Sequence, residues 1–166
     1  MIARTGRLVA REKECVWDYP RPPRAEPTSR HLRVEFEGAV IAETRRGFRV
    51  IETSHPPVYY FPRADVALER LAESPGSSFC EWKGTASYFD LVDSTGALIE
   101  LAAWTYADPT PAFRGLRDCI GFYPDPMDGC YVDGERVIAQ EGGFYGGWIT
   151  SDLEGPFKGT PGSSTW

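Results

Sequence analysis

From His31 onward, apolar and polar positions alternate with a period of two. Leu32, Val34 and Phe36 are separated by charged residues, Glu37-Gly38 offers a turn, and Ala39–Ala42 runs back. Gly47 opens Phe48–Thr53, and Val58–Phe61 resumes after the break at His55-Pro56-Pro57. Short, β-branched runs bounded by turn residues predict strands. Two hairpins follow: Thr85–Val92 with Ala97–Trp104 across Asp93-Ser94-Thr95-Gly96, and Cys130–Ile138 folded at Asp133-Gly134. One segment has a helical pattern. Arg63 to Glu73 carries Val66, Ala67, Leu68 and Leu71, with Pro62 ahead, Ser74-Pro75-Gly76 behind and Asp65 near its start. This predicts a three-turn helix over 63–73. A one-turn helix is expected near Pro111–Leu116. The expected fold class is therefore mostly β (α+β minor): a single antiparallel β domain in which strand outweighs helix about two to one.

Length and composition refine that picture. The chain has 166 residues, enough for one domain with a real core. Its 14 prolines and 17 glycines favour turns and short elements over long helices. Residues 1–30 read as a Pro-rich basic arm, 31–140 as the β-rich domain, and 141–166 as a C-terminal strap of that domain. The strap holds seven glycines together with Phe144, Tyr145, Trp148, Phe157 and Trp166. Charge follows the same division. The arm carries seven Arg/Lys against four Asp/Glu, the remainder eleven against twenty. A body so acidic repels phosphate backbones, so no nucleic-acid partner is expected. No apolar run approaches the ~20 residues of a membrane span, and no signal-peptide pattern opens the chain, so no membrane partner is expected either. A cytoplasmic location follows, with Cys15, Cys80, Cys119 and Cys130 as thiols.

Candidate chemistry is sparse. Structural zinc needs closely paired ligands, whereas the gaps between the four cysteines are 65, 39 and 11 residues. No metal and no cofactor is expected. Gly155–Thr160 contains Gly, Lys and Thr but lacks the phosphate-loop spacing, and Pro156 removes an N–H. A nucleophile is conceivable at Cys80, beside Lys83. Its base would be His31 or His55, the only histidines, with loop-borne His55 preferred. The plainer reading of a lone cysteine at a strand start is a small core hydrophobe.

If Asp93–Gly96 is a four-residue turn, Lys83 faces Tyr106, Thr85 faces Trp104 and Ser87 faces Ala102. Alternation then gathers Lys83, Thr85, Ser87, Glu100, Trp104 and Tyr106 on one face, and places Tyr88 with Ala86, Val92, Ala97, Ile99, Leu101 and Ala103 on the other. The first set mixes an ammonium, a carboxylate, hydroxyls and aromatics, the lining expected of a small-molecule pocket. A buried ammonium needs a partner, for which Glu52 and Glu100 are the candidates. A slip of one residue would exchange the faces.

Several segments carry a family resemblance: Ile51-Glu52-Thr53, Pro57-Val-Tyr-Tyr-Phe-Pro62 with Asp65-Val66, Cys80-Glu-Trp-Lys-Gly84, Ala86-Ser-Tyr88, Ala103-Trp-Thr-Tyr-Ala-Asp-Pro109 and Gly121-Phe-Tyr123. With these the chain resembles the domain-of-unknown-function 427 family. Trp17-Asp-Tyr-Pro and Gly142-Gly-Phe-Tyr-Gly-Gly-Trp148 are similar to longer members. The resemblance implies a small, β-rich protein of twisted, tent-like architecture, similar to one used by zinc-binding and methionine-sulfoxide-reducing proteins. The Cys-x-x-Cys pairs of those relatives are missing here. The family's nucleotidyltransferase-like label finds no matching carboxylate motif. A site shared by the family would lie at Glu52, Tyr60, Cys80, Lys83, Tyr88, Trp104 and Tyr106.

The function expected is small-molecule binding in an aromatic and Lys-lined pocket, in the service of an unidentified reaction. Lys83 would be the electrostatic anchor or proton donor, Glu52 its partner or a base, and Cys80 a nucleophile. Tyr60, Tyr88, Trp104 and Tyr106 would contact the ligand. The alternative is a non-catalytic interaction or adaptor domain.

Overall fold

The structure is a computed structural model and describes residues 11–166; the first ten residues of the arm lie outside the described residues. In chain order the strands are β1 (Glu14–Cys15), β2 (Arg24–Thr28), β3 (Leu32–Phe36), β4 (Ala39–Thr44), β5 (Gly47–Ile51), β6 (Val58–Tyr60), β7 (Leu71–Cys80) and β8 (Gly84–Val92). They continue with β9 (Leu98–Thr105), β10 (Ile120–Phe122), β11 (Gly129–Val132), β12 (Glu135–Arg136), β13 (Ile138–Ala139), β14 (Trp148–Ile149) and β15 (Leu153–Glu154). Helical structure among the described residues is confined to four short 3-10 segments, one of them Pro111–Leu116. The protein is thus mostly β, built mainly of antiparallel sheets.

Two four-stranded sheets, ordered β12-β11-β3-β4 and β10-β9-β8-β7, enclose the main core, and β2-β5-β6 forms a third sheet. Leu32, Val34, Phe61, Leu91, Ile120, Phe122 and Trp148 are fully buried in that core. Reciprocal backbone hydrogen bonds between Phe61 and Ile120, both 2.9 Å, join β6 to β10 and make a continuous wall. Turn chemistry sets the register of the smaller hairpins. Glu37-Gly38 and Asp133-Gly134 take positive φ at both positions, the turn whose twist matches paired strands.

The helix expected over 63–73 does not form. Arg63–Asp65 and Leu68–Arg70 are single 3-10 turns, and Leu71 already opens β7. Strand partners outcompete the helical pattern. Ala67 donates to Ile41 (2.8 Å), Val66 bridges Ala42, and Leu71 pairs with Leu91. The same apolar residues, Val66, Ala67 and Leu71, still reach the core, but by docking on a ladder. Asp65 accepts from the Thr44 hydroxyl and the Arg46 guanidinium instead of capping a helix. Ser74-Pro75-Gly76 lies at an irregularity of the β7 ladder, where a sheet-edge proline costs no hydrogen bond.

The central hairpin also departs from its expected register. Val92 pairs with Leu98, so the turn spans Asp93–Ala97, five residues and not four. The Asp93 carboxylate holds that turn by accepting from the N–H groups of Thr95 and Ala97. Beyond Leu91–Ile99, a bulge places Asp90 against Glu100–Ala102, and Phe89 then faces Ala103. The Asp90 side chain accepts from the N–H of Leu101, whose φ is +54°. Tyr88 therefore sits opposite Trp104, and Ser87 opposite Thr105. The one-residue error in the turn exchanges the faces: Ala86, Tyr88, Trp104 and Tyr106 share one side, while Thr85 and Ser87 are exposed. Lys83 belongs to the turn before β8 and is not Tyr106's ladder partner.

Residues 11–30 are woven into the body. β1 pairs in parallel with β15, and β2 pairs with β5 along its length. Arg49 of β5 grips Glu14 (2.7 Å) and Glu26 (2.7 Å), and this guanidinium holds the Glu14 carboxyl below its ordinary range. Val16 and Tyr19 are buried against Ile51.

Candidate functional site

A cavity of about 290 Å³ opens between β6, the β8–β9 face, the Cys80–Lys83 turn and the C-terminal segment. All seven candidate residues line it: Glu52, Tyr60, Cys80, Lys83, Tyr88, Trp104 and Tyr106. His55, Glu81, Trp82, Tyr123, Gln140, Phe144, Tyr145 and Lys158 also line it. Its rim bears two exposed phenylalanines, Phe79 (76% exposed) and Phe144 (62%), large apolar side chains left in water at a cavity mouth.

The floor is aromatic and closely packed. Trp104 donates its indole N–H to the Tyr60 hydroxyl at 3.2 Å and packs on Tyr123 with ring centres 4.6 Å apart. Two glycines admit its ring. A Cβ on Gly146 would come within 2.2 Å of the indole, and one on Gly121 within 2.5 Å. Gly146→Ala is therefore expected to cost about 1–3 kcal/mol of stability in urea unfolding, because the indole or the strap must shift. Gly76→Ala, whose nearest neighbour would lie at 3.5 Å, serves as the tolerated control. Equal losses at the two sites would show that the indole is not clamped. Burial pushes the Tyr60 and Tyr106 hydroxyls well above the ordinary phenol range, so both stay protonated and able to donate.

The polar wall carries Lys83 and Lys158 beside Glu52 and Glu81. The Lys83 ammonium is half-buried, lies 5.7 Å from the centre of the Tyr106 ring and has no carboxylate partner among the described residues. The expected partners are engaged elsewhere or remote: Arg21 lies 3.5 Å from Glu52, and Glu100 is exposed in the β9 bulge. Lys158 approaches the Tyr145 ring and donates to the main-chain oxygen of Trp166 at 3.2 Å. Tyr123 ties the strap down by donating to the Phe144 carbonyl (2.9 Å).

His55 occupies the polar corner. Burial, reinforced by Lys158, Arg21 and Lys83, lowers its pKa to about 4. Its Nδ1 lies 3.1 Å from Gln140 Nε2, and its Nε2 lies 3.9 Å from Glu52 Oε2. No hydrogen bond joins His55 to Cys80 among the described residues. With Nδ1 occupied by an amide donor, the ring lacks the free lone pair a thiol's base requires. His31, the other histidine, bonds Glu43 at 2.6 Å away from this cavity. In the sequence Tyr145 stands out only as a strap aromatic, Lys158 only within the rejected phosphate-loop segment and Gln140 not at all; all three reach the site through the path of the C-terminal segment.

These features define a β-rich domain with an aromatic-floored cavity whose polar wall carries lysines and glutamates. The family model for a domain of unknown function, DUF427, matches residues 24–133, about two-thirds of the chain, and the protein belongs to that family. No curated protein matches the sequence. The matched span carries the aromatic floor, Glu52, His55, Cys80 and Lys83; Gln140, Phe144, Tyr145 and Lys158 lie beyond it.

Proposed function

We propose that this cavity binds a small aromatic acid, anchored by Lys83 and seated on Trp104, Tyr106 and Tyr60. The observation that carries the reading is the Lys83 ammonium, half-buried over an aromatic ring and without a carboxylate partner among the described residues. Sheltering a charge from water is costly unless a counter-charge meets it, and a bound anion supplies one. The buried Tyr106 hydroxyl, kept protonated, adds a second donor on the same wall. A volume of about 290 Å³ lies at the small end of ligand sites and suits one or two rings.

Trp82 and Trp104 line the cavity and make intrinsic fluorescence a direct readout. Benzoate is expected to quench it saturably, with benzamide weaker and benzylamine inactive. Lys83→Ala should weaken benzoate about ten- to a hundredfold, the worth of a charge-assisted hydrogen bond. Its melting temperature should stay within a few degrees, since no ion pair is lost. Benzylamine binding as well as benzoate, or Lys83→Ala binding unchanged, would sink the proposal. Mass spectrometry of molecules co-purifying with the wild type and with Lys83→Ala would then identify the natural acid.

A further inference from the structure

We infer that His55 faces the cavity as a neutral hydrogen-bond donor through Nε2–H, and that Gln140 is the positioning residue that fixes this tautomer. The inference rests on and deepens the small-acid reading of the same cavity by assigning its second anchor: one carboxylate oxygen of the ligand meets His55 while the other meets Lys83.

The Gln140 amide is buried, with its oxygen and both its N–H groups engaged. Its Oε1 accepts from the N–H of Gly147 at 3.1 Å, and its Nε2 donates to the Lys158 carbonyl at 2.8 Å. Turning the amide over would set oxygen against oxygen and N–H against N–H, so these two partners fix its orientation. The remaining N–H of Nε2 points at His55 Nδ1, 3.1 Å away. That nitrogen must accept. An imidazolium, or the neutral ring protonated at Nδ1, would press N–H against N–H. Only the neutral ring carrying its proton on Nε2 satisfies the geometry.

The surroundings act in the same direction. The groups facing the ring are Arg21 from the N-terminal segment, Lys83 from the turn before β8, and Lys158, Gln140 and Tyr145 from the C-terminal segment. The Tyr145 ring meets it edge-on at 5.1 Å. Three of these are cations and disfavour a fourth. Glu52 brings a carboxylate near the ring, with Oε2 at 3.9 Å from Nε2 and Arg21 close to the same oxygen. That gap exceeds a hydrogen bond, so the Nε2–H remains free for an acceptor in the cavity.

Two elements distant in sequence therefore share one task. His55 belongs to the family-matched span, whereas Gln140 lies beyond it, 85 residues away. The chain from Gln140 onward is a wall of the cavity and also sets the donor pattern of a residue it touches.

The test is a two-bond proton–nitrogen spectrum of the 15N-labelled full chain, with Gln140→Glu and Gln140→Met alongside. The wild-type His55 ring is expected to show a bare Nδ1 and a protonated Nε2, unchanged from pH 8 to pH 5. Gln140→Glu should draw a proton onto Nδ1 and make the ring titrate above pH 6. Gln140→Met should relax the preference toward a mixture of tautomers. A wild-type ring protonated at Nδ1, or one titrating near its ordinary value of about 6.5, overturns the inference; because this measurement needs only the wild type, misfolding of a variant does not blunt it. The ligand role is read with benzoate. His55→Leu should weaken it about tenfold, the loss of one hydrogen bond, and His55→Gln, which keeps a donor, should recover most of that. Equal affinity of wild type and His55→Leu overturns the donor's part in binding. Benzoate failing to bind the wild type, with the tautomer as expected, supports the His55 assignment and refutes the small-acid reading.

Discussion

Trp148→Ala is expected to remove about 3–5 kcal/mol of folding stability, enough to leave much of the protein unfolded near physiological temperature. Trp148 is fully buried where the C-terminal segment enters the main core. Its ring packs on Tyr59 and Phe61, with centres 5.5 and 6.1 Å away, and its indole N–H donates to the Phe122 carbonyl at 3.0 Å. Truncation leaves both a large void and an unpaired buried carbonyl. Trp17→Ala is the contrasting case. That side chain is 39% exposed, meets Trp166 edge-on and donates to the Pro156 carbonyl, so it should cost no more than about 1 kcal/mol. Urea unfolding of the two variants decides the matter. Comparable midpoints for both would mean that the strap is not anchored through Trp148.

Acidification should weaken the fold through His55. The ring's pKa is lowered to about 4 by burial and by Lys158, Arg21 and Lys83, against about 6.5 in the unfolded chain. Between those values the unfolded chain binds the extra proton, so falling pH favours unfolding. The stability at stake is fully present above pH 6.5 and is lost progressively down to about pH 4. Below that both states are protonated and the slope vanishes. The whole window is worth about 3 kcal/mol. Carboxylates titrate nearby, so the measurement is the difference between wild type and His55→Gln across urea curves from pH 7 to pH 4. Parallel pH profiles for the two proteins would refute this origin.

The sequence made the turns more legible than the register between them. Glu37-Gly38 and Asp133-Gly134 carry their conformation in two residues, because both positions need positive φ, which the glycines adopt without strain and Asp133 more readily than most residues. Asp93–Ala97 does not. Its length depends on an aspartate that reaches two N–H groups, and the bulge at Asp90 on a second aspartate bonding Leu101. Neither appears in an alternation pattern, and one residue of error turns Tyr88 from one face to the other. The 63–73 segment failed for a related reason. Its apolar spacing fits a helix, but the open edges at Ile41–Ala42 and β8 offer the backbone partners that decide. The aromatic and Lys83 positions of the cavity stood within recognisable motifs. Gln140 had no such marker, since its importance comes from contacts with His55, Gly147 and Lys158 that only the folded path creates.

The parallel pairing of β1 with β15 bears on how the molecule is assembled over time. The indole of Trp17 and the carbonyl of Pro156 that it meets are 139 residues apart. Closing so long a loop is entropically expensive, and chains rich in distant pairings fold slowly. On a ribosome, Glu14 and Cys15 must wait for Leu153 and Glu154 before their ladder can form. The cavity wall from Gln140 to Lys158 emerges in the same late stretch. A nascent chain cut short before that point would display the aromatic floor of Tyr60, Trp104 and Tyr106 bare to its surroundings, a surface that chaperones and neighbouring chains recognise.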